Sequence, residues 1–252
     1  VNDTSPTERL SKRLARTLGC SRRDAERYIA GGWVRLDGQV VEEPQFKIST
    51  QTLELAKGAR VEEIPPATLL VHVGPDEFSA PDTASSEQAH AASLARQWLT
   101  HDTHWADDPD RRTPLKAHFR GQQALLSLSP GEQGLWVFSQ DRRVIRRLAE
   151  DTSRLEQEWL VEVTGTLDAA QLESLCRGTA LPGKQFAPGK VSWQSETRLR
   201  VAVKGMVPGQ VQAMCAALGL GVVTIKRLRI GGVSLARVPA GQWRYLRVDE
   251  RF

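Results

Sequence analysis

Ala124–Arg143 reads ALLSLSPGEQGLWVFSQDRR. The stretch has the form strand, turn, strand. Leu125, Leu126 and Leu128 lead into Ser129-Pro130-Gly131, a turn signal, because proline presets one turn dihedral and glycine tolerates the next. Gly134 then opens Leu135-Trp136-Val137-Phe138, an apolar run with the form of a buried strand. Asp141 and the arginines after it close the strand.

The chain has 252 residues, enough for two domains that each bury a core. Forty per cent of residues are hydrophobic and 25% charged, the balance of a soluble globular protein. No apolar run approaches the roughly 18 residues that would span a bilayer, and Val1–Arg13 has no apolar core of a secretion signal. The expected location is the cytoplasm. A net charge of +4 is only mildly basic, so the placement of charge carries more information than its total. Cys20, Cys176 and Cys215 are scattered, and their spacing indicates neither a disulfide framework nor a zinc site.

After a polar start over residues 1–7, Leu10, Leu14 and Leu18 recur at helical spacing, and Gly19 stops the pattern. Ser21 is a good helix N-cap, with Asp24 three residues on, and Ala25, Tyr28 and Ile29 continue a second helix to Gly31-Gly32. Trp33–Leu36 and Val40-Val41 flank Asp37-Gly38, a strong hairpin signal. Between Arg9 and Arg27 seven basic residues face two acidic ones, so this segment suits a polyanion whose counterions are released on binding.

The words RLSKRLARTLGCSRRDAERYIAGGWVRLDGQVV (9–41), within Glu8–Ile64, closely resemble the S4 RNA-binding domain. That resemblance implies that the second helix and the hairpin dock on structured RNA. It makes Arg9, Lys12, Arg13, Arg16, Arg22, Arg23, Arg27 and Arg35 the expected contacts. Val61–Pro66, VEEIPP, reads as a linker. Two domains are expected, 1–64 and 65–252.

Thr68–Val73 reads as a strand, Glu77–Thr113 has little periodicity, Pro81–Ser86 is loop-like, and Glu87–Thr100 has a helical face. His72 is read as an ordinary strand-end histidine. His101, Asp102, His104, Asp107 and Asp108 are read as a polar surface loop in preference to a metal cluster. Val144–Glu150 reads as a helix, Glu158–Val163 as a half-buried strand, Asp168–Arg177 as a helix, and Val191–Trp193 and Leu199–Val203 as short strands.

The central stretch resembles the RsuA/RluB/RluE/RluF-type RNA pseudouridine synthases. Members carry Gly-Arg-Leu-Asp, a few residues, then Gly-Leu-Leu and a Thr-Asn-Asp-like end. Here Leu126-Ser127-Leu128-Ser129 stands in the place of the first four. Further matches are Gln210 and Met214 in Gly205–Leu218, Arg227, Arg229 and Gly231 in VVTIKRLRIGGVSL (222–235), and the closing VPAGQWRYL (238–246). The fold implied is α+β: a small S4 (αL-type) module followed by a mixed, mostly antiparallel β-sheet domain with flanking helices. The reaction implied breaks the N-glycosidic bond of a flipped uridine and remakes it to carbon, with one aspartate and no cofactor or metal.

At the matching positions this chain has Ser129 for the aspartate, Ser127 for the motif arginine, and Trp159 for the tyrosine that carries the base. Gly209, Gln212 and Ala213 replace three arginines. A serine hydroxyl needs a strong adjacent base before it can attack anything. Glu132, three residues on in the same turn, is the carboxylate that could reach inward. The expectation is an RNA-binding protein, with Gln210, Arg227 and Arg229 as further RNA contacts, that has lost isomerisation. The alternative is an active rRNA or tRNA synthase with a displaced acid, and a third is a protein-binding scaffold. The expected partner is a structured RNA, rRNA before tRNA, with no membrane, and the chain is expected to be monomeric.

Overall fold

The computed structural model describes residues 7–75, 77, 95, 97–178 and 188–252. The loop expected at Pro81–Ser86 lies outside the described residues. So does the helix expected over 87–100, apart from residue 95 and residues 97–100, where Ala95, Gln97 and Trp98 are helical. The chain forms two compact units, Val1–Pro66 with Thr113–Arg120, and Ala67–Arg112 with Gly121–Phe252.

In the first unit, α1 (Leu10–Leu18) ends where Gly19 takes a left-handed conformation. Helix α2 (Arg22–Ala30) starts where the Ser21 hydroxyl accepts the Asp24 N–H. Leu10, Leu14, Ala25 and Ile29 bury the facing stripes of both helices against Val34, Leu36 and Ile48. Strands β2 (Val34–Leu36) and β3 (Gln39–Val40) form the hairpin, with Asp37 and Gly38 both at positive φ, the backbone form of a type I′ turn. Strand β5 (Leu53–Leu55) flanks β2. Short β1 (Glu8–Arg9) pairs with β4 (Lys47–Ile48). Helix α3 (Lys116–Phe119), which periodicity did not reveal, belongs to this unit. The Lys116 N–H donates to Glu42, and its Nζ lies 2.5 Å from Glu43.

The second unit is built on one mixed, mostly antiparallel sheet. Its strands are β6 (Thr68–Val73), β7 (Gln123–Leu125), β8 (Glu132–Ser139), β9 (Glu156–Thr164), β10 (Gly189–Trp193), β11 (Arg198–Lys204), β12 (Gly221–Ile230), β13 (Val233–Ser234) and β14 (Trp243–Tyr245). The order is β10-β11-β9-β12-β8-β6-β14, with β13 on β12 and β7 on β8. Among the pairings of these strands with one another, β8–β12 alone is parallel in the described residues. The apolar run Leu135–Phe138 is therefore central and buried on both faces, which explains why it does not alternate. Leu135 and Val137 pack with Leu148, Leu155 and Ile230 on one face. Helices α4 (Arg142–Glu150), α5 (Ala169–Arg177) and α6 (Gln210–Ala217) complete the unit. Asp141 caps α4, and Asp168 with Gln171 forms a capping box on α5.

No described helix is long and apolar enough to cross a membrane. Cys20, Cys176 and Cys215 are free thiols, and burial pushes that of Cys215 up to about 11.

Candidate functional site

The loop between β7 and β8 is where the sequence places its departure from the synthase pattern. After Leu125 the chain leaves the ladder through Leu126, at φ 51, a left-handed conformation that costs a branched residue about 1 kcal/mol or more. The Leu126 carbonyl accepts a 2.6 Å hydrogen bond from Arg227, and its side chain packs on the core beneath β8. Those contacts hold the backbone in a form that suits the glycine of the resembling motif. Leu128 is buried, Ser129 half-buried, and Pro130 and Gly131 exposed. The Glu132 N–H donates to the Ser129 carbonyl and closes the turn.

Glu132 does reach inward, and it is almost fully buried. One carboxylate oxygen accepts the Ser129 N–H at 2.7 Å; the other accepts the Gly209 N–H at 3.1 Å. The carboxylate thus ties the loop to the N-cap of α6. Burial raises its proton affinity above that of an ordinary glutamate, against the two backbone N–H bonds and the charge of Arg227. A carboxyl that binds its proton more tightly in the folded chain favours folding most at low pH. That contribution is lost as pH rises from the ordinary glutamate range through the raised value. The stability of wild type relative to Glu132→Gln is therefore expected to fall across that interval. Urea midpoints measured at a series of pH values check it, and a flat difference contradicts it.

Arg227 lies inside the sheet, with 1% of its surface exposed. Its guanidinium donates to the Leu135 carbonyl (2.8 Å), the Gln157 side-chain oxygen (3.2 Å) and the Leu126 carbonyl, and it lies 5.1 Å over the Trp159 ring. Burial lowers its proton affinity to about 9, and Glu132 opposes the shift. The expectation that Arg227 grips RNA directly is thus replaced by an internal role, since a guanidinium so enclosed does not reach a phosphate. Trp159 is likewise buried, at 2% exposure, with no hydrogen-bond partner for its indole N–H among the described residues. In this conformation it offers no face to a base. Gln157, which also donates to the Met206 carbonyl, completes the set.

Arg229 is bound by two acids, Glu156 at 2.6 Å and Glu158 at 2.9 Å, and Glu158 also holds Arg200. A register irregularity between Arg227 and Arg229 lets two residues so close in sequence take up such different surroundings. Gln210 turns its side-chain oxygen back to the Val207 N–H at the start of α6.

In the first unit the basic residues do stand at the surface. Arg9, Lys12, Arg16, Arg22, Arg23 and Arg35 are exposed, and Arg13 and Arg27 half-buried. Arg13 and Arg16 share Glu8, Arg22 meets Glu26, and Arg23 and Arg27 meet Glu63. The exposed pairs among these, Arg22–Glu26 and Arg23–Glu63, are worth about 0–1 kcal/mol each. Arg9, Lys12 and Arg35 make no ion pair among the described residues.

His72 and His104 have structural partners. His72 is buried, and its Nδ1–H donates to the Val238 carbonyl at 2.6 Å. Burial lowers its proton affinity. His104 stacks on Trp243 and bonds to Asp108, whose Oδ2 also accepts the Tyr245 N–H. Among the described residues no three such groups come close enough to hold a metal.

Comparison with known proteins agrees with this architecture. The S4 domain family matches residues 8–52. The ribosomal small subunit pseudouridine synthase A of Escherichia coli is 26% identical over 254 residues, covering 96% of this chain and 97% of that one. The dual-specificity RNA pseudouridine synthase RluF of E. coli is 24% identical over 249 residues, covering 96% and 76%. A chloroplast protein of Arabidopsis thaliana, named for the ribosomal large subunit pseudouridine synthases, is 27% identical over 236 residues; this chain spans 55% of its length. A crystal structure of a pseudouridylate synthase shares the fold, with a TM-score of 0.56 over 95% of this chain and 96% of that one, at 18% identity. With an S4 domain matched near one end and the fold shared with a pseudouridylate synthase, the chain is similar over nearly its whole length to the RsuA/RluF-type pseudouridine synthases.

Proposed function

We propose that this protein binds structured ribosomal RNA through its S4 domain and holds a uridine-sized site that does not isomerise. The observation that carries the reading is the pairing of Ser129 with Glu132. A hydroxyl occupies the position of the reactive carboxylate, and the nearby acid spends both oxygens on backbone N–H groups. A nucleophile at the sugar needs an ionised oxygen; the Ser129 hydroxyl is not one, and the Glu132 carboxyl is held in the turn by two backbone N–H groups. Further support comes from Ser127 in place of the motif arginine and from the enclosure of Trp159 under Arg227. Ribosomal RNA is favoured because the relatives are named for ribosomal subunits.

The test is tritium release from ribosomal RNA labelled at uridine C5. Neither the wild type nor Ser129→Asp is expected to release label, because the aspartate alone would lack its basic companion. The second reading, an active synthase with a displaced acid, draws on Glu132 itself, a buried carboxyl of raised proton affinity beside the loop. Tritium release by the wild type that Glu132→Gln abolishes would establish that reading and end the first.

A further inference from the structure

Helix α4 carries a face that neither the S4 domain nor the loop explains. Its sequence is RRVIRRLAE. At 100° per residue, Val144, Ile145 and Leu148 share one arc and pack on the core under β8, while Arg142, Arg143, Arg146 and Arg147 share the opposite arc. All four arginines are exposed. With Asp151 they line a hollow of about 630 Å³. A second hollow of about 550 Å³ shares Arg143 and Arg147 and adds Arg251, Val248 and Phe252.

A face that merely meets solvent usually pairs opposite charges one turn apart. Here Arg142 with Arg146 and Arg143 with Arg147 are like-charge pairs one turn apart that weaken an isolated helix, and the opposite-charge pairs one turn apart, Arg146–Glu150 and Arg147–Asp151, come only at its C-terminal end. Arg142 and Arg143 also stand in the first turn, where the helix dipole disfavours cations. The opposing acids are few. Arg147 meets Asp151 at 2.6 Å, Arg146 lies 3.7 Å from Glu150 with both side chains largely exposed, and Arg142 and Arg143 have no ion pair among the described residues. In the second hollow Glu250 gives both oxygens to the buried Arg244, and Asp141 accepts the Arg143 backbone N–H. An arrangement unfavourable in the free chain becomes favourable when a row of anions lies across it.

We propose that the arginine face of α4 is a second binding surface for the RNA phosphate backbone. It rests on the RNA-binding reading above. It is separate from the loop, because α4 follows the end of β8 opposite to Glu132, roughly 23 Å along an extended strand. Charge complementarity and the two linked hollows fit a run of phosphates better than a single ion.

The experiment measures fluorescence anisotropy of a fluorescein-labelled ribosomal RNA hairpin with the full chain over a range of KCl concentrations. Arg142→Ala/Arg146→Ala is expected to weaken binding about tenfold. It should also flatten the slope of log K against log salt by about 1.5, since each phosphate contact contributes roughly 0.7–0.9. Its melting temperature is expected to match or exceed wild type, because like-charge repulsion is removed. Arg22→Ala/Arg23→Ala should weaken binding independently. Unchanged affinity and slope in Arg142→Ala/Arg146→Ala, with binding reduced in Arg22→Ala/Arg23→Ala, overturns this proposal and leaves RNA binding standing. A wild type that binds no RNA at low salt overturns both. If the α4 variant instead loses binding to phosphatidylserine vesicles while RNA binding is unchanged, the surface serves a membrane and the proposal is overturned.

Discussion

Gly134→Ala is expected to abolish the native fold of the second unit. Gly134 sits at φ 103, a region open to glycine and closed to alanine. It stands opposite Arg227 in the parallel β8–β12 pairing. A methyl group added there would lie 2.7 Å from the Arg227 backbone nitrogen and closer still to its carbonyl oxygen. Both are main-chain atoms of a strand hydrogen-bonded on its other side to β9, so they do not swing away as a side-chain tip would. The seam must open at the centre of the sheet. The cost is expected to exceed about 4 kcal/mol, against the roughly 5–15 kcal/mol that holds a typical domain. Gly131→Ala is the control. It has φ 83 but nothing within 4 Å of the added methyl, so only about 1–2 kcal/mol of backbone strain is expected. Urea denaturation followed by tryptophan fluorescence separates the two. A Gly134→Ala protein with a near-native midpoint would contradict the argument.

Arg227→Ala is expected to cost about 3–5 kcal/mol, the usual penalty for removing one partner of a buried charged network. Three acceptors lose their donor at once, the carbonyls of Leu135 and Leu126 and the side chain of Gln157. Leu126 then keeps its left-handed strain without the bond that offsets it. Glu132 loses the cation that favours its ionised form, and its proton affinity rises further. A second change, Glu132→Gln, removes that buried charge, so the double variant is expected to be less unstable than the sum of the single ones. A double-mutant cycle in urea reads the coupling directly, and strict additivity would show that the two groups do not sense one another. Arg227→Lys is expected to recover little, because an ammonium cannot serve three acceptors spread around a planar fork.

Much of the fold was legible in the chain. Leucines at helical spacing, Gly19, Ser21 and Asp37-Gly38 are local signals, and each acts within a few residues of where it is written. The unbroken apolar run Leu135–Phe138 announced a buried strand. Less was legible where pairing partners are distant. Strands β1, β4 and β5 are two or three residues long and carry no periodicity, and α3 is a single turn whose place in the first unit depends on Glu42 and Glu43.

The candidate site divides the same way. That Ser129 stands where the resembling motif has its aspartate is a reading made from the sequence alone. The fate of Glu132 is not, since a glutamate in a turn is ordinarily solvated. Its burial depends on Gly209, 77 residues away, and its electrostatics on Arg227. Arg227 itself belonged on paper with the RNA-gripping arginines, and Trp159 with base-stacking rings. The sheet turns both inward, because their strands have neighbours on both edges and their side chains face one another across the β9–β12 register. Local chemistry along the chain decided which helices, turns and buried strand form. Only the packed sheet decided which charges face water and which are sealed in, because burial of a charge is set by partners brought together from far apart in the chain.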